Sequence, residues 1–124
     1  MYGCCKIYYE YTILKVKFEG YTFTDMDSIK IAHFADPSAT ILRYQKNYKV
    51  DERGEISLEI GGTPYKAITI SNPRLLIADT LTNLKTVEED ISSGCPTVTH
   101  YTVSFENRGL TYGPNISIEL IIKR

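Results

Sequence analysis

The sequence predicts an all-β domain, a two-sheet antiparallel sandwich of seven or eight strands that is immunoglobulin-like or transthyretin-like. At least five stretches alternate apolar and polar residues with a period of two, and no stretch of comparable length keeps a helical period. Residues 116–123 alternate most clearly, because every even position there is Ile or Leu. Such alternation places one face of a strand on a core and the other in solvent. Turn signals recur about every 8–12 residues, as in sandwiches; a small closed barrel is the alternative.

In the first half of the chain, each predicted strand ends at residues that favour turns. A strand of about ten residues ends at Gly20, because Leu14, Val16 and Phe18 alternate with polar neighbours up to that point. A second strand covers residues 29–34 and ends before Pro37, which cannot donate to a central ladder. The remaining elements are a strand at 40–44, a turn at 51–54, a strand at 56–60 and a hairpin turn at 61–64.

In the second half, strands are predicted at residues 65–70, 75–78 and 97–105, and the last strand covers 116–123. Turns are predicted at 107–109 and 112–115 because both contain Gly. Residues 80–94 are interpreted as a loop that carries an extended piece. Leu81, Leu84, Val87 and Ile91 recur at helical spacing there, but the β-branched Thr residues and the rest of the chain argue against a helix.

Length and charge restrict the organisation and the class of partner. A chain of 124 residues without an internal repeat fits one domain, with residues 1–12 as an amino-terminal tether and start of the first strand and 13–124 as the β-sandwich. The net charge is −1, and basic and acidic residues are interspersed, so nucleic acid is not an expected partner. No apolar run approaches the ~20 residues of a membrane-spanning helix.

The three cysteines lead to a hypothesis about location. Gly3 and Cys4 resemble the cleavage point of a bacterial lipoprotein signal, in which Gly precedes the Cys that receives the acyl chains. The departure from that pattern is that only three residues precede Cys4, where the signal has an apolar segment. In an exported protein Cys5 and Cys95 would then be available to form a disulfide. The alternative interpretation is a frayed terminus with free thiols.

Other features of the chain extend this resemblance to a family of small bacterial surface lipoproteins. The features are the Cys4-Cys5-Lys6 start, the segment 21–29 after the first strand, and Gly94-Cys95 before the penultimate strand. The resemblance covers most of the chain and implies an exported sandwich domain. It implies no catalytic residues.

The sequence contains no catalytic or metal-binding pattern that we would assign. Cys95 and His100 are five residues apart, an odd offset that puts side chains on opposite faces of a strand. His33 and His100 are the two histidines, and neither occurs with the paired spacings of a zinc motif. The acidic clusters at 25–28 and 88–90 lack the Gly and downstream Glu of a calcium loop and are interpreted as solvated loops. We therefore expect no enzyme activity, no cofactor and no metal.

Tyrosine is the residue type that suggests a binding surface, because the chain has ten Tyr and no Trp. Tyr combines a large contact area with a polar tip and is enriched in recognition surfaces, although it is also a common sandwich residue. The candidates are Tyr8, Tyr9, Tyr11 and Tyr21.

The predicted function is a non-enzymatic surface module of the bacterial cell envelope, lipid-anchored through Cys4, which binds a protein or glycan or serves an envelope assembly. Contact with the membrane is expected only through that anchor. The alternative is a cytoplasmic or phage-type structural β domain that acts by self-association. Ile121, apolar on the nominally exposed face of the last strand, would then pack against a neighbouring copy.

Overall fold

The computed structural model describes residues 7–22, 28–60, 65–92 and 97–124 of the chain. The elements in these ranges are ten strands and one 3₁₀ turn, Pro73–Leu75, so the prediction of an all-β chain is confirmed. The strands are β1 (Ile7–Tyr11), β2 (Ile13–Glu19), β3 (Ile29–Phe34), β4 (Leu42–Tyr48), β5 (Glu55–Glu59), β6 (Ala67–Asn72), β7 (Ile77–Ser92), β8 (Thr97–Asn107), β9 (Leu110–Asn115) and β10 (Ser117–Lys123).

The strands form two sheets that share one core. The larger sheet has the order β1-β8-β7-β6-β3-β4, and β9 pairs with the second half of β8. The smaller sheet has the order β10-β2-β5. Alternate side chains of both sheets are buried in a single cluster, which includes Leu14, Val16, Phe18, Ile31, Ile56, Leu58, Ile70, Leu81, Val103, Phe105, Ile118, Leu120 and Ile122. This arrangement is the one that the period-two pattern predicts for strands with one buried face.

Thr12 lies where the chain passes from the larger sheet to the smaller one. Its backbone N–H donates to the Tyr101 carbonyl at 3.0 Å, and its carbonyl accepts from the Ile60 N–H at 2.9 Å. Its hydroxyl accepts from the Val103 N–H at 3.0 Å and lies 2.8 Å from the Asn115 carbonyl oxygen. Because Thr12 is fully buried, these bonds hold both sheets together at the crossing.

Two strand pairs differ from the predicted antiparallel arrangement. β1 pairs with β8 in parallel, and β2 pairs with β10 in parallel; the other pairs are antiparallel in the described ranges. A parallel pair joins segments that are distant in sequence, so local turn signals do not reveal it. The parallel pair of β1 with β8 brings the tyrosines near the amino terminus to one edge of the larger sheet, beside β8.

The prediction of a loop at 80–94 was wrong for the part that the structure describes. Residues up to Ser92 belong to β7, which spans sixteen residues from Ile77 to Ser92. This long strand is held on one edge by β6 and on the other by β8, with an irregularity between Thr82 and Lys85. The first part of the strand, 77–81, pairs with β6, and the part from Thr82 onwards pairs with β8. Because these pairings supply backbone hydrogen bonds, a segment with a mixed apolar pattern remains extended.

Three further boundaries required correction. The strand predicted at 40–44 begins later, at Leu42, and continues to Tyr48. Residues 75–78 contain the end of the 3₁₀ turn and the start of β7 instead of one strand. The turn predicted at 112–115 is part of β9, where Gly113 and Pro114 are tolerated because β9 pairs with only β8 among the described residues.

The turn predicted at 107–109 is confirmed as a tight hairpin between β8 and β9. Arg108 and Gly109 both have positive φ angles, 51° and 77°, as the favoured two-residue hairpin turns require.

Among the described residues, no helix has the length and apolar character needed to cross a membrane. The predicted hairpin turn at 61–64 lies outside the described residues.

Candidate functional site

Three tyrosines stack against one another on one face of the larger sheet. Strand alternation puts Tyr9 and Tyr11 on the same face of β1, and the parallel register places Tyr11 beside Tyr101 of β8. The ring centroids of Tyr11 and Tyr101 are 5.2 Å apart with an interplanar angle of 8°, and those of Tyr9 and Tyr101 are 5.8 Å apart. We call Tyr9, Tyr11 and Tyr101 the tyrosine row.

Two carboxylates lie beside the tyrosine row on the neighbouring strand β7. Glu88 pairs with Tyr101, and Asp90 pairs with Thr99, so both acids are on the same face as the row. The Thr99 hydroxyl donates to Asp90 Oδ1 at 2.7 Å, which orients that carboxylate. We call Glu88 and Asp90 the acidic flank.

The surroundings of Tyr101 keep its hydroxyl protonated. Partial burial raises the pKa of Tyr101 above its ordinary value, and the negative charge of Glu88 raises it further. The phenol therefore remains a neutral hydrogen-bond donor well above physiological pH. Negative potential on this face comes from the acidic flank and not from the tyrosines.

The tyrosine row extends beyond the described part of the smaller sheet. That sheet begins at Ile13 and Ser117, whereas the row lies on β1 and the first half of β8, before the Thr12 crossing. Tyr9 is 49% exposed, and Tyr11 and Tyr101 are half-buried. The same face that forms the core further along the sheet here carries half-exposed rings and carboxylates, which makes it accessible to a partner.

Tyr8 and Tyr21, two of the four predicted surface tyrosines, lie elsewhere. Tyr8 is on the opposite face of β1 and is 50% exposed. On that face Glu10 Oε2 and His100 Nε2 are 2.9 Å apart. Tyr21 follows the other end of β2, where its ring contacts Phe18 edge-on at a centroid distance of 6.2 Å. The structure thus brings together Tyr9 and Tyr11 but neither of the other two candidates.

Sequence reasoning missed Tyr101, Glu88 and Asp90 as members of this site. Tyr101 had a usable signal, since it shares one predicted strand face with Val103 and Phe105. Glu88 and Asp90 had none, because the segment that contains them was interpreted as a solvated loop. Strand pairing puts them beside the tyrosines, while Glu89 between them pairs with His100 on the other face.

His33 is a buried titratable group in the larger sheet, as is Asp79, which is ion-paired with Arg108. His33 is 9% exposed, its ring lies 4.9 Å from the Tyr65 ring and 5.5 Å from the Tyr44 ring, and its Nδ1 has no hydrogen-bond partner among the described residues. Burial lowers the pKa of His33 below its ordinary value of 6.5. The imidazole is therefore neutral in the folded protein at neutral pH.

We expect the His33→Phe substitution to reduce the loss of stability in mild acid. Because the pKa of His33 is lower in the folded state, the unfolded chain binds its proton first, and stability falls as the pH drops through about 6.5. Phe keeps a ring between the two tyrosines and binds no proton. Urea unfolding midpoints between pH 7.5 and 5.5 test this, and an unchanged pH slope in the variant would contradict it.

The predicted lipidation residue Cys4 and the predicted disulfide pair Cys5 and Cys95 lie outside the described residues. So does the 25–27 part of the first acidic cluster. Within the described ranges, no three His, Cys, Asp or Glu side chains converge as a metal ion would require. The expectations of no metal, no cofactor and no enzyme activity stay predictions.

Comparison of the chain with protein-family models, curated proteins and solved structures found no match.

Proposed function

We propose that this chain is a non-enzymatic binding module whose tyrosine row and acidic flank bind a basic segment of a partner protein. The observation that supports the proposal is the stack of Tyr9, Tyr11 and Tyr101 on an accessible sheet face, with Glu88 and Asp90 beside it. Aromatic side chains are enriched in protein interfaces relative to the rest of the surface.

The chemistry of this face favours Arg or Lys side chains. A guanidinium group stacks on aromatic faces through cation–π attraction and donates charge-assisted hydrogen bonds to carboxylates. Tyr9 offers a half-exposed ring, and the Asp90 carboxylate is held in place by Thr99. A neutral glycan would stack on the same rings but would gain less from two negative charges, so we favour a protein partner.

A tetra-arginine peptide provides the direct test of this proposal. We expect Tyr9→Ala to weaken the binding of this peptide several-fold in calorimetric titration, because the most exposed ring of the row is lost. Tyr8→Ala is the matched control, since Tyr8 is equally exposed on the same strand but faces the other way. Equal affinity for the two variants would refute a role for the row.

We also propose, as a separate point, that the domain is exported and held at the bacterial surface by an acylated Cys4. The chain from Cys4 to Ile7 spans at most about 11 Å, so an anchor there would hold the tyrosine row near the bilayer. The partner would then be a neighbouring envelope protein. The intact mass of the native protein, with and without reduction, tests both the acyl chains and the Cys5–Cys95 bridge; a chain with free thiols and no acyl group would exclude them.

We also propose that the sandwich is of the immunoglobulin-like or transthyretin-like type.

Self-association through the last strand is the second candidate function, because Ile121 is 43% exposed and Ile13 is 37% exposed on the outer face of the smaller sheet. On the same face Lys17, which is directly opposite Ile121, is ion-paired with Glu55 at 3.7 Å and Glu119 at 3.4 Å, so the apolar surface is interrupted by charge. For that reason we rank this candidate below the binding module.

A further inference from the structure

A small basic cavity lies at the end of the molecule opposite the tyrosine row. Its volume is about 270 Å³, and it is lined by Tyr21, Arg74, Leu75, Leu76, Lys123 and Arg124. These residues come from the segment after β2, the turn before β7 and the end of β10. Among the residues that the structure describes, the lining contains three cationic side chains and no acidic one, although the chain as a whole has a net charge of −1. We call this cavity the Tyr21 pocket.

One wall of the Tyr21 pocket is a turn that is fixed by a buried asparagine. Asn72 Oδ1 accepts from the Leu75 N–H at 3.3 Å, and Asn72 Nδ2 donates to the Ser28 carbonyl at 3.0 Å. Asn72 is 7% exposed, so both bonds are shielded from water. The turn therefore presents Arg74 and its neighbours from a rigid backbone.

Leu76 is unusual in this turn. Its φ angle is 57°, a left-handed conformation that costs energy for a branched apolar residue, and its side chain is 90% exposed. Neither core packing nor backbone preference explains a leucine there. A residue kept in a strained, exposed position is a signal of function.

The opposite wall is equally well fixed. The Arg124 N–H donates to the Glu19 carbonyl at 2.8 Å and so extends the pairing of β10 with β2. Gly20, with φ of +84°, allows this approach, since a Cβ there would lie 3.0 Å from Arg124 Cβ. The Arg124 guanidinium lies 5.7 Å from the centre of the Tyr21 ring.

We propose that the Tyr21 pocket binds a small amphiphilic anion. A phosphate or carboxylate head would be held by Arg74, Lys123 and Arg124, because guanidinium groups match these anions with paired hydrogen bonds. The apolar body of the ligand would cover Leu75, Leu76 and the Tyr21 ring. This site is independent of the tyrosine row and of its proposed partner.

Monobutyl phosphate is the probe for this proposal. Inorganic phosphate and butanol are the controls, because they represent its anionic head and its apolar body separately. In an NMR titration of the labelled protein, we expect saturable shifts at Leu75, Leu76 and Arg124 with monobutyl phosphate. Inorganic phosphate should bind more weakly, and butanol should not bind. Shifts that do not saturate, or that are spread over the surface, would overturn the proposal.

A double variant and a charge-matched control test the basic side chains of the Tyr21 pocket. We expect Arg74→Gln with Arg124→Gln to weaken monobutyl phosphate binding about tenfold or more. The control removes the same charge elsewhere, through Lys15→Gln with Lys85→Gln, and should bind normally. Equal binding by the two double variants would refute the assignment.

Leu76→Gly tests the apolar wall without disrupting the fold, because glycine suits the left-handed conformation. We expect this variant to bind monobutyl phosphate no better than inorganic phosphate while its urea midpoint stays near that of the wild type. Ala39→Gly, at a φ of 57° in a different loop, is the matched control and should bind normally. A Leu76→Gly variant that retains the preference for monobutyl phosphate would contradict the apolar contact.

Vesicles distinguish the source of such an anion. Sedimentation with phosphatidic acid vesicles that is lost in the double arginine variant would identify a lipid headgroup. Binding of monobutyl phosphate without vesicle sedimentation would identify a soluble ligand. Failure of both would overturn the proposal, and neither result depends on whether tetra-arginine binds the tyrosine row.

Discussion

Replacing Thr12 by Val is expected to lower the free energy of unfolding by about 2–4 kcal/mol, since it leaves the buried Val103 N–H without its acceptor and also removes the hydroxyl bond to the Asn115 carbonyl. Val has nearly the shape of Thr, so packing is retained. The Val103 N–H loses its acceptor, and the Asn115 carbonyl loses the hydroxyl at 2.8 Å. The two bonds join Thr12 to residues 91 and 103 positions away in sequence, on β8 and β9, so their loss detaches the crossing segment from the larger sheet.

Thr12→Ser is the control for this prediction. Serine keeps the hydroxyl and removes one buried methyl group, which costs about 1 kcal/mol. Urea unfolding at a constant redox state measures both variants, and the change should appear in the midpoint rather than in the slope. A Thr12→Val protein as stable as Thr12→Ser would show that the hydroxyl does not anchor the crossing segment to the larger sheet.

Removing the charge of the acidic flank is expected to weaken tetra-arginine binding about tenfold or more. The change is Glu88→Gln with Asp90→Asn, which keeps the size of both side chains and one acceptor oxygen on each but removes the charge. Charge-assisted hydrogen bonds contribute about 1.5–3 kcal/mol, and 1.4 kcal/mol corresponds to a factor of ten. Both positions are exposed on β7, so the fold should be retained.

Glu89→Gln is the matched control for the acidic flank. Glu89 lies between the two acids in sequence but pairs with His100 on the opposite face of the sheet. Its loss reduces the overall negative charge without changing the tyrosine face. The double variant removes two charges and Glu89→Gln removes one. If the loss of affinity for each charge removed were the same in both, the effect would come from net charge, and the proposed contact would be wrong.

The sequence predicted those strands whose pattern is local. β2, β3 and β10 lie where the alternation of apolar and polar residues placed them. β7 was missed because its extended form depends on two successive partners, β6 for its first residues and β8 for the rest, which its own residues do not encode. β9 was missed because Gly113 and Pro114 are turn residues by local preference, and their place in an edge strand is decided by β8.

The candidate site was predictable in part for the same reason. Tyr9 and Tyr11 could be chosen because they are clustered in sequence, and alternation alone would have separated Tyr8 from them. Tyr101 and the acidic flank join the site through the parallel pair of β1 with β8 and the antiparallel pair of β8 with β7. Such pairings between distant segments are set by the whole fold and not by local sequence.

The most direct test of the proposed function is an NMR titration of the labelled protein with tetra-arginine. We expect the largest amide shifts to occur at Tyr9, Tyr11, Glu88, Asp90 and Tyr101 and to saturate together. Salt should weaken the interaction, because two exposed carboxylates contribute to it. Saturable shifts centred on other residues, or no shifts at all, would contradict the claim that the tyrosine row and its acidic flank form the binding site.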